Sequence, residues 1–286
     1  MASEVWSENS GSYPLSINIV SHSHNLPLPE IYPALFLHRA RWEYLTLNVY
    51  TPSVLVIDGP VPLLRHLDLT QHSNSNFELR DAPQLRSVVL CHSWAATLPW
   101  QQLTQLTIEQ TVLGECLPVL RQTTNLVYCD VTVWSVGHND PDDGFITLPF
   151  LESLVFNMNP ENLGSRILNL LTVPALRRLE IRERCIEMDP IGYLTSFIAK
   201  SHCRLRILEI VSRRTVHRNA YRLAFPSIPK FAFDNSYFEP ASDEEASEED
   251  SEGDEDEDED NSESAEDFSV DGDSGSSDGQ IGSDAD

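Results

Sequence analysis

Side chains able to bind metals or act as nucleophiles are few and widely spaced in this chain. His22 and His24 lie in a polar loop after a predicted strand, and no third ligand follows nearby, so zinc binding is not predicted. His202 and Cys203 are adjacent, and neighbouring residues of an extended segment point apart. This pair is therefore interpreted as packing before a strand, not as a base with its nucleophile.

The acidic loop from Gly137 to Phe145 invites a calcium interpretation. With Gly144 at the sixth position of an EF-hand loop, however, Pro141 and Phe150 would occupy ligand positions. A solvated loop is the preferred interpretation. No metal site is expected here.

Sequence motifs of catalysis are absent as well. The chain contains no glycine-rich phosphate loop, no G-x-S-x-G turn and no H-E-x-x-H. The sequence therefore predicts a protein that is not an enzyme and that needs no cofactor.

The dominant pattern is a recurring apolar triplet at positions i, i+3 and i+5. Its nine occurrences are Trp42/Leu45/Leu47, Leu64/Leu67/Leu69, Leu85/Val88/Leu90, Leu103/Leu106/Ile108, Leu126/Cys129/Val131, Leu151/Leu154/Phe156, Leu176/Leu179/Ile181, Leu205/Leu208/Ile210 and Ile228/Phe231/Phe233. The steps between first positions are 22, 21, 18, 23, 25, 25, 29 and 23 residues. This period is typical of leucine-rich repeats.

The predicted fold is therefore α/β. Residues 1–238 should form an irregular leucine-rich-repeat solenoid of about nine repeats, with a curved parallel sheet and with helices and loops on its convex side. The alternating segment Pro14 to Val20 should add the first edge strand. Regular repeats carry Asn at i+8; here only Asn159 does, so the loops should be uneven.

Several return paths carry a helical apolar stripe of period 3.6. They are Leu113 to Leu120, Leu163 to Leu171 and Ile191 to Ile198, the last with Asp189 as N-cap and Pro190 at the first helical position. Two other returns, Asp81 to Pro83 and Ala96 to Trp100, should be short and irregular.

Charge is divided unevenly along the chain. Residues 1–233 carry 21 acidic and 19 basic residues, whereas residues 234–286 carry the other 24 acids and no Lys or Arg. A nearly neutral body does not indicate nucleic-acid binding. Residues 239–286 lack apolar residues able to offset the cost of ordering, so a disordered acidic tail is predicted.

Cysteine use and hydropathy indicate the compartment. The five cysteines are odd in number and never form C-x-x-C, which does not favour a disulfide framework. No leader segment and no apolar run of about eighteen residues occurs, so neither secretion nor membrane insertion is predicted. A reducing cytoplasmic or nuclear environment is expected.

Residues at i+2, i+4 and i+6 should point out of the concave face of the sheet. The candidate protein-binding residues at these positions are Tyr44, His66, Asp68, Tyr128, Asp130, Arg178, Glu180 and Arg182. Aromatic and arginine side chains on a rigid surface are the types that contribute most to interfaces. The alternative is that these residues only keep the sheet soluble, and that apolar residues such as Val89, Val155 and Ile207 mark covered parts of the face.

Four serines of the tail are candidate phosphorylation sites, because each has an acidic residue three positions later. They are Ser242, Ser247, Ser251 and Ser264. Phosphorylation would add further negative charge. The alternative is an unmodified tail that keeps the protein soluble.

Several segments resemble the fungal F-box-like proteins with degenerate leucine-rich repeats, in the region C-terminal to the F-box. The segments are WSENSGSYPLSINI (6–19), RARWEYLTL (39–47), GPVPLLRHLDL (59–69), APQLRSVVL (82–90), LPWQQLTQLTI (98–108) and VPALRRLEI (173–181). The resemblance covers about residues 6–238 and implies a substrate-recognition solenoid. Met1 lies where that family's F-box would already have ended, which leaves a cullin-type ligase core in doubt as a partner. A truncated sequence and a free repeat module both remain open.

Two functions follow as hypotheses. The first is a non-enzymatic protein-interaction module with an unidentified protein target. The alternative is a nuclear acidic chaperone of basic proteins such as histones, since the acidic tail after a repeat body is similar to that of acidic leucine-rich nuclear phosphoproteins.

Overall fold

The computed structural model of the chain describes residues 11–20, 33, 35–49, 55–71, 76–92, 96–135, 144–158, 164–186, 189–211 and 214–233. The Cα packing divides the chain into Met1–Ser242 and Asp243–Asp286. The predicted acidic tail lies outside the described residues, as do His22, His24, Asn159 and the acidic part of the predicted loop, residues 137–143.

Strands dominate the described residues. They are β1 (Leu15–Val20), β2 (Trp42–Val49), β3 (Leu55–Ile57), β4 (His66–Gln71), β5 (Phe77–Leu79), β6 (Ser87–Cys91), β7 (Ala96–Thr97), β8 (Gln105–Val112), β9 (Tyr128–Ser135), β10 (Ile146–Thr147), β11 (Ser153–Met158), β12 (Leu171–Thr172), β13 (Arg178–Arg182), β14 (Ile207–Val211) and β15 (Lys230–Phe233). Ten form the main sheet, in the order β1-β2-β4-β6-β8-β9-β11-β13-β14-β15. All neighbours in it are parallel. The predicted α/β class with a parallel sheet is confirmed, and so is the first edge strand.

The apolar triplets of successive repeats lie side by side in this sheet. Leu45 is paired with Leu67, Leu67 with Val88, and Val88 with Leu106. The row continues through Cys129, Leu154, Leu179, Leu208 and Phe231. Because side chains alternate along a strand, i+3 and i+5 both point to one face. That face forms the hydrophobic core, where Leu64, Leu67 and Leu69 are fully buried.

A fourth repeated position, i−3, was not predicted from the sequence. In most repeats the amide of the first triplet residue donates to the carbonyl three residues earlier, as Leu176 N does to Val173 O at 3.1 Å. The i−3 residues that accept this bond are all buried: Val61, Ala82, Trp100, Thr123, Leu148, Val173 and Phe225. Proline follows directly in five of these turns, at Pro62, Pro83, Pro149, Pro174 and Pro226, and its fixed φ suits the second position of a β-turn.

A second backbone pattern joins the repeats at i+1. Arg65 O accepts from Arg86 N at 3.0 Å and from Ser87 N at 3.1 Å, and Arg86 O accepts in the same way from Thr104 N and Gln105 N. The carbonyls of Thr104, Val127, Glu152 and Arg177 each accept an equivalent pair of bonds from the next repeat. Backbone bonds thus extend the pairing of neighbouring strands to the residue that precedes each strand.

The return paths differ along the chain. The helices are α1 (Leu113–Gln122), α2 (Gly164–Leu170), α3 (Pro190–Ser201) and α4 (Arg218–Ala224). The first three confirm the predicted helical returns, and α4 was not predicted. Returns also contain strands: before α1, β3, β5 and β7 form a second parallel sheet, and later in the chain β10 pairs with β12, which directly follows α2. The irregular return predicted at Ala96 to Trp100 is therefore wrong, because it begins with β7 and ends in a 3₁₀ turn at Trp100–Gln102.

Local sequence fixes the ends of α3. The carboxylate of Asp189 accepts a hydrogen bond from Gly192 N at 2.9 Å, and Pro190 is the first helical residue. His202 ends the helix in the left-handed conformation, at φ 53°. The predicted N-cap is confirmed.

Candidate functional site

The candidate site is the face of the main sheet opposite the core, here called the open face. It consists of three rows of side chains that run across the strands at i+2, i+4 and i+6. The i+2 row contains Tyr44, His66, Ser87, Gln105, Tyr128, Ser153, Arg178, Ile207 and Lys230, and the i+4 row contains Thr46, Asp68, Val89, Thr107, Asp130, Val155, Glu180, Glu209 and Ala232. The i+6 row contains Asn48, Thr70, Cys91, Glu109, Thr132, Asn157, Arg182 and Val211.

The described helices pack on the other face of the sheet. Leu117 of α1, Ile167 of α2, Leu194 of α3 and Tyr221 of α4 all belong to the hydrophobic core. Of the residues in the three rows only Val155 is buried, so the open face is available to solvent along most of its length. All eight candidate residues predicted from the sequence lie on this face.

Towards one end of the open face, the rings of Tyr44 and His66 and the hydroxyl of Ser87 lie next to one another across β2, β4 and β6. The Tyr44 and His66 ring centroids are 6.2 Å apart, and His66 Nδ1 lies 3.0 Å from Ser87 Oγ. Asp68 lies two residues after His66 in β4, so both side chains are on the open face. Burial raises the pKa of the Asp68 carboxyl above its ordinary value, and the charge of His66 only partly opposes this.

In the middle of the face, Tyr128 and Asp130 form a second pair on one strand. The Tyr128 hydroxyl donates to Asp130 Oδ2 at 3.4 Å. Burial raises the pKa of Asp130; the bond from Tyr128 lowers it, and the negative charge of Glu109 raises it further. Burial also raises the pKa of Tyr128, and the nearby carboxylate of Asp130 adds to that rise.

Arg178 organises the third group. One guanidinium nitrogen, Nη2, lies 3.1 Å from Glu180 Oε2 and 2.9 Å from Glu209 Oε2, so it bridges β13 and β14. The two glutamate side chains are only 23% and 19% exposed. The hydrogen bond to Glu209 raises the pKa of Arg178. Burial and the charge of Glu209 raise the pKa of Glu180, and Arg178 opposes them.

The other predicted sites lie elsewhere. The candidate phosphorylation sites Ser242, Ser247, Ser251 and Ser264 are outside the described residues. His202 is exposed at the end of α3 while Cys203 is buried, and burial raises the pKa of the Cys203 thiol. Within the described part of the chain, no group of three or more His, Cys, Asp or Glu side chains could hold a metal ion.

Two open-face carboxylates were missed. Glu209 and Glu109 occupy i+4 and i+6 of their repeats, so the rule that selected the other candidates could have found them. What the rule lacked was the pairing between strands, which brings Glu209 beside Glu180 and within reach of Arg178.

A buried polar cluster outside the open face was missed altogether. Glu183 is 3% exposed, and its Oε1 accepts from the Thr215 hydroxyl at 2.7 Å, from Val216 N at 3.0 Å and from Thr215 N. Its Oε2 accepts from the Tyr221 hydroxyl at 2.7 Å. Burial, followed by the charge of Glu183, raises the pKa of Tyr221 far above its ordinary value. These bonds connect the segment before α4, and α4 itself, to the residue after β13. The role of the cluster is therefore structural.

None of the described helices has the length and hydropathy needed to cross a bilayer. Comparisons of the chain with protein-family models, with curated proteins and with solved structures found no match in any of the three.

Proposed function

We propose that this chain is a non-enzymatic protein-interaction module: an irregular leucine-rich-repeat solenoid that binds a protein target through the open face of its main sheet. The observation that carries the proposal is the alignment of Tyr44, His66, Tyr128 and Arg178 in one row across that face. Tyrosine and arginine are enriched among the residues that dominate binding energy.

Rigidity of the face supports the same proposal. The backbone bonds at i+1 and the turns at i−3 fix the strand backbones, so the positions from which the open-face side chains project are set before a partner arrives. A preorganised surface loses less conformational entropy on binding. Substrate recognition of the F-box-like kind is the proposed role, in keeping with the segments that resemble that family.

The proposal is tested by affinity capture from a cell extract with the full-length protein and with Tyr128→Ala and Arg178→Ala variants. A partner that binds through the open face should be retained by the wild-type protein and lost with either substitution. Glu152→Gln, which changes an exposed residue off this face, should retain it. Equal capture by all four proteins would contradict the proposal.

The second candidate is an acidic chaperone of basic proteins such as histones, and it rests on the 24 acidic residues in 234–286. A full-length variant with Asn and Gln in place of Asp and Glu after residue 238 separates the two. If purified histones bind the wild-type protein and lose binding both in this variant and at 1 M salt, where the screening length is about 3 Å, the chaperone function is supported. If the partner captured above binds the neutralised variant equally well, the open face is its site.

A further inference from the structure

From β4 to β11, the open face carries three carboxylates and one titratable base, His66. On β4, β6, β8, β9 and β11 its three rows contain the carboxylates of Asp68, Glu109 and Asp130 and no Lys or Arg. The next two strands differ, because there Arg178 is already shared between Glu180 and Glu209.

Asp68 and Asp130 are partly desolvated, and among the described residues neither is neutralised by a Lys or an Arg. Burial is the largest cause of the raised pKa of both Asp68 and Asp130. Asp130 has Tyr128 as its hydrogen-bond donor and Glu109 as a further negative neighbour, and among the described residues neither aspartate forms an ion pair with Lys or Arg. A ligand that brings positive charge would therefore relieve an unfavourable interaction already present in the free protein.

The spacing of the carboxylates selects the kind of ligand. Parallel strands are about 4.8 Å apart, so Asp68 on β4 and Asp130 on β9, three strand intervals apart, are separated by about 14 Å. That distance is too long for one metal ion to bridge. An extended peptide rises about 3.3 Å per residue, so side chains four residues apart are about 13 Å apart and match the two aspartates.

We propose that the open face binds an extended basic segment of a partner protein, with Lys or Arg side chains four residues apart that lie over Asp68 and Asp130. The segment crosses Val89 and Thr107, which lie between the aspartates in the i+4 row. The Tyr128 and Tyr44 rings offer aromatic surface to guanidinium groups. This inference rests on the proposed function and specifies the chemistry of the target.

The test is photo-crosslinking of the full-length protein with a short synthetic peptide. The peptide has two arginines four residues apart, benzoylphenylalanine midway between them, and glycine and serine elsewhere. A matched peptide has glutamate in place of both arginines. Mass spectrometry of the digested product locates the crosslinks, which separates binding at the open face from binding at the acidic residues after 238.

The arginine peptide should crosslink at or beside Val89 and Thr107, and the glutamate peptide should not. Asp68→Asn and Asp130→Asn keep the shape of the side chain and should each lower the crosslink yield on this face by roughly threefold to fivefold, as expected for one partly exposed ion pair. Glu152→Gln removes the same charge elsewhere and should leave the yield unchanged. Circular dichroism of each variant confirms that the fold is retained.

Crosslinks confined to residues after 238, or a yield on the open face that neither asparagine variant lowers, would overturn the inference. Failure of the proposed function would look different: affinity capture would then show no partner that depends on Tyr128 or Arg178. A captured partner that depends on Tyr128 and Arg178, together with an arginine peptide that does not crosslink to the open face, would leave the proposed function in place and exclude a basic segment.

Discussion

The buried carboxylate of Glu183 connects the end of β13 to the segment that leads into α4. Its two carboxylate oxygens accept bonds from two backbone amides and two hydroxyls, all from residues 32 to 38 positions later in the chain. A carboxylate that is buried without such donors would be strongly destabilising. Each donor therefore contributes more to the free energy of unfolding than a hydrogen bond between neutral groups would.

Tyr221→Phe tests this cluster at a single atom. The substitution removes the hydroxyl that donates to Glu183 Oε2 at 2.7 Å and leaves the buried ring in place. We expect the free energy of unfolding to fall by about 1.5–3 kcal/mol, the range for hydrogen bonds to charged groups. Urea unfolding followed by circular dichroism measures the change. Tyr13→Phe is the matched control, since Tyr13 is 77% exposed and should give no change; equal midpoints for both variants would show that the cluster does not stabilise the fold.

Replacing Asp130 should have the opposite effect and raise the stability of the fold, because the charge of this carboxylate is unfavourable in the folded protein. Its pKa is raised on folding, mainly by burial, so the stability associated with the neutral form is present below the unfolded pKa of about 3.9 and is lost as the pH rises through the folded pKa. Asp130→Asn is neutral at every pH. We therefore expect the variant to match the wild-type protein at about pH 3 and to have a higher melting temperature at pH 7.

Thermal unfolding at both pH values measures the difference, and Glu152→Gln controls for the loss of one charge from a protein of net charge −26. A melting temperature for Asp130→Asn that is lower than that of the wild-type protein at pH 7 would show that the carboxylate stabilises the fold. The binding role proposed for the open face would then lose its support from electrostatics.

At the residue scale, the sequence predicted the face of the sheet to which a side chain points. It did not predict which distant residues a side chain contacts. Alternation with period two assigned Tyr128 and Asp130 to the same face correctly, because strand geometry alone decides that. The contact of Glu183 with Tyr221 joins one strand end to a helix 38 residues away. No local pattern in the sequence encodes such a contact.

At the scale of elements, proline has two opposite effects in this chain. Pro174 lies in the turn closed by Leu176 N and Val173 O, where its fixed φ is compatible with the native conformation. Pro118 lies inside α1, where a proline lacks the amide that would bond to Gly114 and crowds the preceding turn.

Pro174→Ala should lower the free energy of unfolding by about 0.4–1 kcal/mol, because the unfolded chain gains conformations. Pro118→Ala should raise it by about 1–3 kcal/mol, because the helix gains a hydrogen bond and loses a clash. Guanidinium unfolding of the two variants compares them directly. If Pro174→Ala also stabilised the protein, the turn would not prefer proline; if Pro118→Ala destabilised it, Pro118 would not strain the helix.

The elements that the sequence predicted are those whose pattern repeats or runs long. The triplet strands and three of the four described helices were predicted because apolar spacing defines them over several residues. The second sheet was missed, since β3, β5 and β7 are only three, three and two residues long. The turn at i−3 was missed for a different reason: its signal is one buried residue, followed by proline in five turns, and such a short signal has neither the period of a helix nor that of a strand.

At the scale of the whole molecule, the strands of the main sheet lie side by side in the order in which they occur along the chain. Each described strand pairs only with the strands on either side of it, so β4 bonds to β2 and β6, and β13 bonds to β11 and β14. If the chain is a solenoid as proposed, its stability should be the sum of local contributions with coupling between neighbours. The period of the triplets was sufficient to predict this order from the sequence, whereas the partner of the open face was not predictable, because side-chain chemistry on a face does not identify a target.

A pair of equivalent substitutions tests whether stability is local. Leu67 in β4 and Leu179 in β13 occupy the same i+3 position and are both fully buried, so either Leu→Ala change should cost about 2–5 kcal/mol. Native-state hydrogen exchange read by mass spectrometry should show Leu67→Ala accelerating exchange most in β2, β4 and β6, and Leu179→Ala most in β11, β13 and β14. Each variant is the control for the other. If both accelerate exchange equally in all strands, the chain unfolds as one cooperative unit, and a solenoid of independently coupled repeats is the wrong description of it.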